Sequence, residues 1–535
     1  MTAPDLIVRG ATVHTMDAAR PRASALAVTG GTITAVGDDQ EVAALAGRRT
    51  EVVDGRGLTV TPGLVDSHQH PLIALSQERG VDLTGLTDLG DLCRTLEEYA
   101  AGLPEHAWVV ARGTEYLAFA PRTPHRETID AAVGGRPALL SMIDAHNALL
   151  STEGLRRAGI TGAVEFADHS EVDVDDEGRP TGYLRELSAV LLAQEALPSI
   201  DAAEAARELA RRLRAQHACG ITGLHVLDLS PQTLETLELL SDQDRLTARV
   251  LLAPWALPGR TRQTLEMLHD LRERGGRLWR TGAVKFLLDG TIDGGAAWLH
   301  HPDCHGEGTR PIWREPGDYR EAVGAVAELG LPSFTHAIGD RAVSYALDTC
   351  ARVGGPARGR HRIEHAELVC DEDVARFAAL DVVASMHPTH MDWTVPDHTD
   401  NWSARVGPER WVRAWRYGDI VAAGGRVALG SDWPIAHFDP RLVMAGARLR
   451  RPAGRPDRAP VGAGQALTAY QALAGYTLWA AYGAGEEDRA GTVREGARAD
   501  LTVFAGDPLA VSPDELAELP VALTVVDGRV VHRAA

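Results

Sequence analysis

Short apolar runs broken by turn signals occupy both ends of this chain, and a longer alternation of apolar strands with helical stretches fills its middle. Near the start, Leu6-Ile-Val, Ala11-Thr-Val-His-Thr, Ala25-Leu-Ala-Val, Thr32-Ile-Thr-Ala-Val and Glu51-Val-Val read as β-strands, punctuated by Gly30-Gly31 and Gly37-Asp-Asp. The same texture returns in Asp500-Leu-Thr-Val-Phe, Ala522-Leu-Thr-Val-Val and Gly528-Arg-Val-Val-His. Two β-rich ends around a different middle predict one small composite β-sandwich, formed by residues 1–61 together with 488–535.

The middle, residues 62–487, has the alternating pattern of a parallel α/β fold. Its first strand is the run from Val60 to His70. Seven more follow: Gly220-Ile-Thr-Gly-Leu-His-Val, Ala248-Arg-Val-Leu-Leu-Ala-Pro, Gly282-Ala-Val-Lys-Phe-Leu-Leu, Leu331-Pro-Ser-Phe-Thr-His, Arg362-Ile-Glu-His, Asp381-Val-Val-Ala-Ser-Met and Arg426-Val-Ala-Leu-Gly. Eight is the number a TIM (β/α)8 barrel needs. Helices such as Ala202-Ala-Glu-Ala-Ala-Arg-Glu-Leu-Ala-Arg-Arg-Leu lie between them. The stretch from about 75 to 200 is too long for one βα unit and reads as an insertion after the first strand, near the active site. The expected fold class is therefore α/β, a distorted TIM barrel with the composite sandwich attached.

Composition narrows the partners. The 535 residues carry 44% hydrophobic and 24% charged residues, enough to bury a large core, and a formal net charge of -20. That charge disfavours nucleic acid and anionic membranes, and no apolar run of about 18 residues offers a membrane span. The N-terminus lacks the charged segment and long apolar run of a secretory signal. Five scattered cysteines with no C-x-x-C pair fit a reducing compartment and argue against a cysteine zinc site. A cytoplasmic protein is expected, with a small-molecule substrate and a homodimer as the assembly to test.

Candidate chemistry sits where strands end. His68 and His70 close the first strand two residues apart, so both side chains point to one side. With 21 histidines, roughly one H-x-H pair arises by chance, so the pair alone decides nothing. In a TIM barrel, however, polar residues at the C-terminal ends of strands converge on one site. Reading those ends adds Lys285, His336, His365 and Asp432. Four imidazoles and a carboxylate suit a borderline divalent ion such as zinc. Lys285 reads either as a ligand or as a lysine paired with Asp289. Glu364 alternates with His365 and should point away from the site. His225 fits packing better than ligation, Asp340 stands where it could orient His336, and His14, His106 and His125 read as solvated.

The chain resembles the amidohydrolase superfamily, and within it the YtcJ-like group that includes N-substituted formamide deformylases. The resemblance is carried by Pro62-Gly-Leu-Val-Asp-Ser-His-Gln-His, Asp144-Ala-His146, Val284-Lys-Phe-Leu-Leu-Asp-Gly, His336-Ala-Ile-Gly-Asp, Arg362-Ile-Glu-His, Gly430-Ser-Asp-Trp-Pro and Gly496-Ala-Arg-Ala-Asp-Leu-Thr-Val. It implies two divalent ions: His68, His70 and Asp432 on the first, His336 and His365 on the second, with N-carboxylated Lys285 as the bridging ligand. It also implies a shared water acting as hydroxide on a substrate carbonyl, with Asp432 as general base and then acid, so that a linear C–N amide-type bond is hydrolysed. Asp144 and His146 would lie over the mouth of the site as substrate contacts. Tyr116, Trp298, His387, His390 and Trp393 are further pocket candidates.

Two loops depart from the group's usual pattern. Asp289-Gly-Thr-Ile-Asp-Gly-Gly-Ala-Ala-Trp stands where D-G-S and an Arg-Thr-Ala triplet are expected, and His387 stands where a Gln is usual. Both would line the pocket and bear on the substrate rather than the chemistry. Two other readings fit the same residues: a mononuclear deaminase of the same superfamily, which needs no bridging lysine, and a non-catalytic small-molecule-binding relative.

Overall fold

Eight parallel strands close on themselves at the centre of the molecule: β1 (Leu64–Gln69), β2 (Ile221–Leu229), β3 (Arg249–Ala256), β4 (Val284–Leu287), β5 (Ser333–Ala337), β6 (Arg362–His365), β7 (Val383–Met386) and β8 (Arg426–Leu429). They pair in chain order, and a parallel bridge from Gln69 to Trp433 closes β8 onto β1. The computed structural model describes residues 3–534 apart from 78, 272 and 354–359. Every residue of β4 to β7 is buried, as expected of strands covered by helices outside and by packed side chains inside. This is why the strands stand out in the sequence as continuous apolar runs rather than as alternating ones.

The helix Ala202–Ala218 shows how the outer layer is placed. Asp201 caps it by accepting from the backbone N–H groups of Ala203 and Glu204, and Ala205, Ala206, Leu209 and Leu213 form its buried stripe. That stripe packs against β2 and against the C-terminal strand Val521–Val526.

The two chain ends meet in one hydrogen-bonded sheet. Its order is Arg529–Arg533, Val521–Val526, Leu501–Phe504, Thr59–Pro62, Leu6–His14, Arg22–Thr29 and Thr32–Gly37, with Glu51–Asp54 paired to Leu6–His14. Thr59–Pro62 runs antiparallel to Leu501–Phe504, and the next residue, Gly63, donates to the Asp500 carbonyl at 2.8 Å before the chain enters β1. The first barrel strand thus starts from a fixed anchor. His14 belongs to this junction: it is buried, with Nε2 2.7 Å from Asp507, and is not the solvated residue its polar surroundings suggested.

The insertion folds as a six-stranded sheet: Glu171–Val174, Pro180–Arg185, Ala148–Leu150, Ala138–Met142, Val109–Thr114 and Val81–Asp82. Among the described residues no helix is long and apolar enough to cross a membrane.

His361, just before β6, makes the barrel acid-sensitive. Its Nδ1 accepts from the Ser333 backbone N–H at 3.2 Å, its Nε2 has no partner among the described residues, and burial pulls its pKa down to about 4. The unfolded chain therefore binds the proton more readily than the folded one. Stability is full above the ordinary histidine value and falls as pH drops from about 6.5 towards 4, by up to about 3 kcal/mol from this residue. Chemical denaturation across that range should show the loss, and His361→Asn should flatten it.

Candidate metal centre

The last turn of β1 brings its two histidines to the barrel mouth. His68 Nε2 lies 3.2 Å from His70 Nε2 and 3.3 Å from Lys285 Nζ at the start of β4. Asp432 arrives through barrel closure. Its backbone N–H donates to the His68 carbonyl at 2.9 Å, and the His70 N–H donates to the Trp433 carbonyl at 2.8 Å. The Asp432 carboxylate then sits 3.4 Å from His68 Nε2 and 3.3 Å from His70 Nε2. His365, at the end of β6, lies 3.9 Å from Asp432 Oδ2, and its ring centroid is 4.3 Å from that of His336. All six residues read from the strand ends are in one cluster.

Asp66, which the sequence reading passed over, stitches this closure. Its Oδ1 accepts from the backbone N–H groups of His68 and Ser431, and its Oδ2 from the Ser431 hydroxyl at 2.6 Å and Gln69 Nε2 at 2.7 Å. Gly430 beside it has no room for a side chain: a Cβ would stand 2.8 Å from the His68 nitrogen and 2.9 Å from its Cβ. Only a glycine allows β8 to come this close to the ligand strand.

Glu364 differs from its expected orientation. Alternation along β6 does hold for Arg362 and Glu364, which both face the barrel interior. It fails at His365, whose φ of +70° turns its side chain to the same side. Glu364 Oε2 is 2.8 Å from His68 Nδ1, and both Glu364 oxygens accept from the Arg362 guanidinium at 2.9 Å. Arg362 also donates to the Ser67 carbonyl at 2.6 Å, to Ser385 Oγ at 2.9 Å and to His225 Nδ1 at 2.8 Å. The carboxylate holds the His68 proton on Nδ1, so Nε2 presents its lone pair to the cluster. His225 is thus a packing partner of the buried arginine. Sequence alone carried one signal for this: an Arg and a Glu spaced two apart in an otherwise apolar strand.

Asp289 does not pair with Lys285 but accepts from the backbone N–H groups of Trp298, Ile338 and Gly339. Asp340 accepts from the His300 N–H and does not orient His336. Trp298 is buried in the barrel core with its ring 5.3 Å from Tyr345. His387 and His390 join the cluster, with His387 4.7 Å from both the His68 and His365 rings and His390 Nε2 3.5 Å from Asp432.

The insertion reaches the same mouth. Tyr116 donates to Asp144 Oδ2 at 2.8 Å, Thr291 donates to the same oxygen at 2.6 Å, and Asn147 donates to the Tyr116 hydroxyl at 2.6 Å. His146 pairs with Glu186 at 3.0 Å, and its ring lies 4.8 Å from that of His336.

The electrostatics fit a cation. Burial keeps His68, His336 and His365 well below the ordinary imidazole pKa, and therefore neutral donors. Burial alone would raise the Asp432 carboxyl. The surrounding imidazoles of His70, His387 and His390 overcome this and hold it well below the usual carboxylate range. Nδ1 of His365 and Nε2 of His387 and His390 are buried without hydrogen-bond partners. Buried imidazole nitrogens without partners among the described residues, set around an anionic carboxylate, suit a borderline divalent ion such as zinc, so the residues present fit a metal.

The chain as a whole is similar to known proteins. Residues 51–532 match a family described as Amidohydrolase family. Two relatives span nearly the whole chain. The amidohydrolase YtcJ of Bacillus subtilis (strain 168) is 26% identical over 535 residues, covering 98% of this chain and 99% of that one. The N-substituted formamide deformylase of Arthrobacter pascens is 27% identical over 548 residues, covering 98% and 97%. Among solved structures, an uncharacterized metal-dependent hydrolase from Pyrococcus horikoshii OT3 superposes with a TM-score of 0.74 at 22% identity, covering 95% of this chain and 99% of that one.

Proposed function

The chain belongs to the amidohydrolase family, and on that footing we propose that it is a metal-dependent hydrolase of linear C–N amide-type bonds, with N-acyl or N-formyl amines as substrates. The observation that supports this reading most is the meeting of His68, His70, Lys285, His336, His365 and Asp432 at one barrel mouth. The name of the Arthrobacter pascens relative, an N-substituted formamide deformylase, favours the N-formyl class.

In this reading His68, His70 and Asp432 would hold one divalent ion, zinc by its donor set, and His336 and His365 a second. Lys285, once N-carboxylated, would serve as a further anionic ligand. Burial pulls the Lys285 amine down to about 8, against the opposing pull of Glu364 and Asp432. A neutral amine able to take up carbon dioxide is therefore accessible near neutral pH, and carboxylation turns a costly buried cation into an anionic ligand. Bound ions supply Lewis acidity to the scissile carbonyl and acidity to the attacking water.

The protein's own groups do the rest. Asp432, kept anionic by its imidazole neighbours, takes the proton of the attacking water on a carboxylate oxygen and returns it to the leaving nitrogen. His146, fixed by Glu186, and the Tyr116–Asp144–Thr291 chain border the mouth and orient the substrate. Barrel burial excludes bulk water from His68 and Glu364, which strengthens every charge interaction there.

The test is a panel of formamides, N-acyl amines, carbamates, lactams and ring amidines offered to the zinc-loaded protein. Turnover of the linear amides is expected, lost on chelation and restored by zinc. Deamination of ring amidines alone, or no turnover across the panel, overturns the proposal.

A further inference from the structure

His387 stands at the end of β7, at a position read from sequence as part of the substrate pocket. Its surroundings do not suit a substrate contact. The residue is 1% exposed, so no open face is left for a ligand to approach. Its Nδ1 lies 3.1 Å from the Gly430 carbonyl, which can only accept, so the ring proton sits on Nδ1. Nε2 is then a bare lone pair, buried with no hydrogen-bond partner among the described residues. A buried acceptor left unpaired is destabilising unless something electron-poor meets it.

What it faces is the ligand cluster. One donor atom from each of His68, His365, His387 and Asp432 can be chosen so that all four lie within 4.8 Å of one another. The His387 ring stands steeply to both neighbours, at 86° to His68 and 66° to His365, with its centroid 4.7 Å from each. The backbone holds it there. Pro388 opens the turn Pro388–Trp393 directly after His387, and the helix Pro440–Leu449 packs against that turn. His68 is oriented in the complementary way, with Glu364 on Nδ1 and Nε2 inward.

We infer that His387 is a metal ligand, donating Nε2 to an ion shared with His68, His365 and Asp432. This rests on the metal-dependent reading above but changes its ligand set: β7 supplies a donor, beside those of β1, β6 and β8.

Two variants and two measurements that do not depend on activity test it. Zinc affinity is measured against a competing chelator, with metal per chain counted on the purified protein and folding checked by circular dichroism without metal. His387→Ala should weaken one zinc site by more than the roughly 10- to 100-fold that loss of an outer hydrogen-bond partner produces. His387→Cys, loaded with cobalt(II), should gain a thiolate-to-cobalt charge-transfer band in the near ultraviolet that the wild-type cobalt protein lacks. The cysteine variant gives a positive signal even if the alanine variant folds poorly. Wild-type zinc affinity in His387→Ala, with no new band in His387→Cys, overturns the inference and leaves the metal-dependent reading standing. A wild-type protein that binds no divalent ion overturns both.

Discussion

Asp432→Asn is expected to lower kcat by about 10²- to 10⁴-fold, the range that loss of a positioned acid–base group produces. The substitution keeps size and shape, and the contact that places the residue is a backbone one: its N–H donates to the His68 carbonyl at 2.9 Å. Barrel closure should therefore survive, and with it the secondary structure. What disappears is the anionic oxygen pair set 3.3 Å from His70, 3.4 Å from His68 and 3.5 Å from His390. An amide can neither take the proton of an attacking water nor return it to a leaving nitrogen. Steady-state kinetics on the best substrate of the panel, at matched metal content, makes the measurement. A variant with full metal content and more than about a tenth of the wild-type kcat would remove Asp432 as the proton carrier.

Glu364→Ala should damage both stability and metal binding. Glu364 and Arg362 are both wholly buried, and the carboxylate accepts two guanidinium hydrogen bonds while holding His68 Nδ1. Removing it leaves a buried cation without its counter-charge, at a loss of about 3–5 kcal/mol. It also frees the His68 ring, for which about 10- to 100-fold weaker metal binding is expected. The double variant Arg362→Met with Glu364→Gln separates the two effects. It removes the ion pair as a unit, so stability should recover, while the metal affinity should recover less because a neutral amide holds the imidazole less firmly. Thermal unfolding and zinc competition measure the two losses. Undiminished zinc affinity in Glu364→Ala would show that the carboxylate does not position His68.

Most of the architecture was legible because a parallel barrel buries both faces of its strands. Runs such as Val284-Lys-Phe-Leu and Val383-Ala-Ser-Met carry no surface face, so any polar residue at their ends is conspicuous. That logic picked out six residues that the fold brings together. It could not rank the residues just past the strand ends. His387 and Trp298 looked alike as pocket candidates, yet one faces the histidine–aspartate cluster and the other packs on Tyr345. Nor could alternation supply the phase of β6. It set Glu364 away from the site of His365, but the left-handed backbone at His365 brought consecutive side chains to one site. Asp66 was hidden for a different reason. Its partners at Ser431 lie 365 residues away, and nothing in either local pattern points to the other.

Hydrophobic periodicity and turn chemistry act over a few residues, so local pattern along the chain sets the kinds and order of the elements and the donor types at their ends. Which donors surround a common point, which charges are paired inside the barrel and which imidazole nitrogen is left bare are set by long-range packing. Those follow from closing β8 onto β1 and from backbone angles at single residues such as His365 and Asp432. Both depend on contacts between segments hundreds of residues apart, which no local pattern encodes.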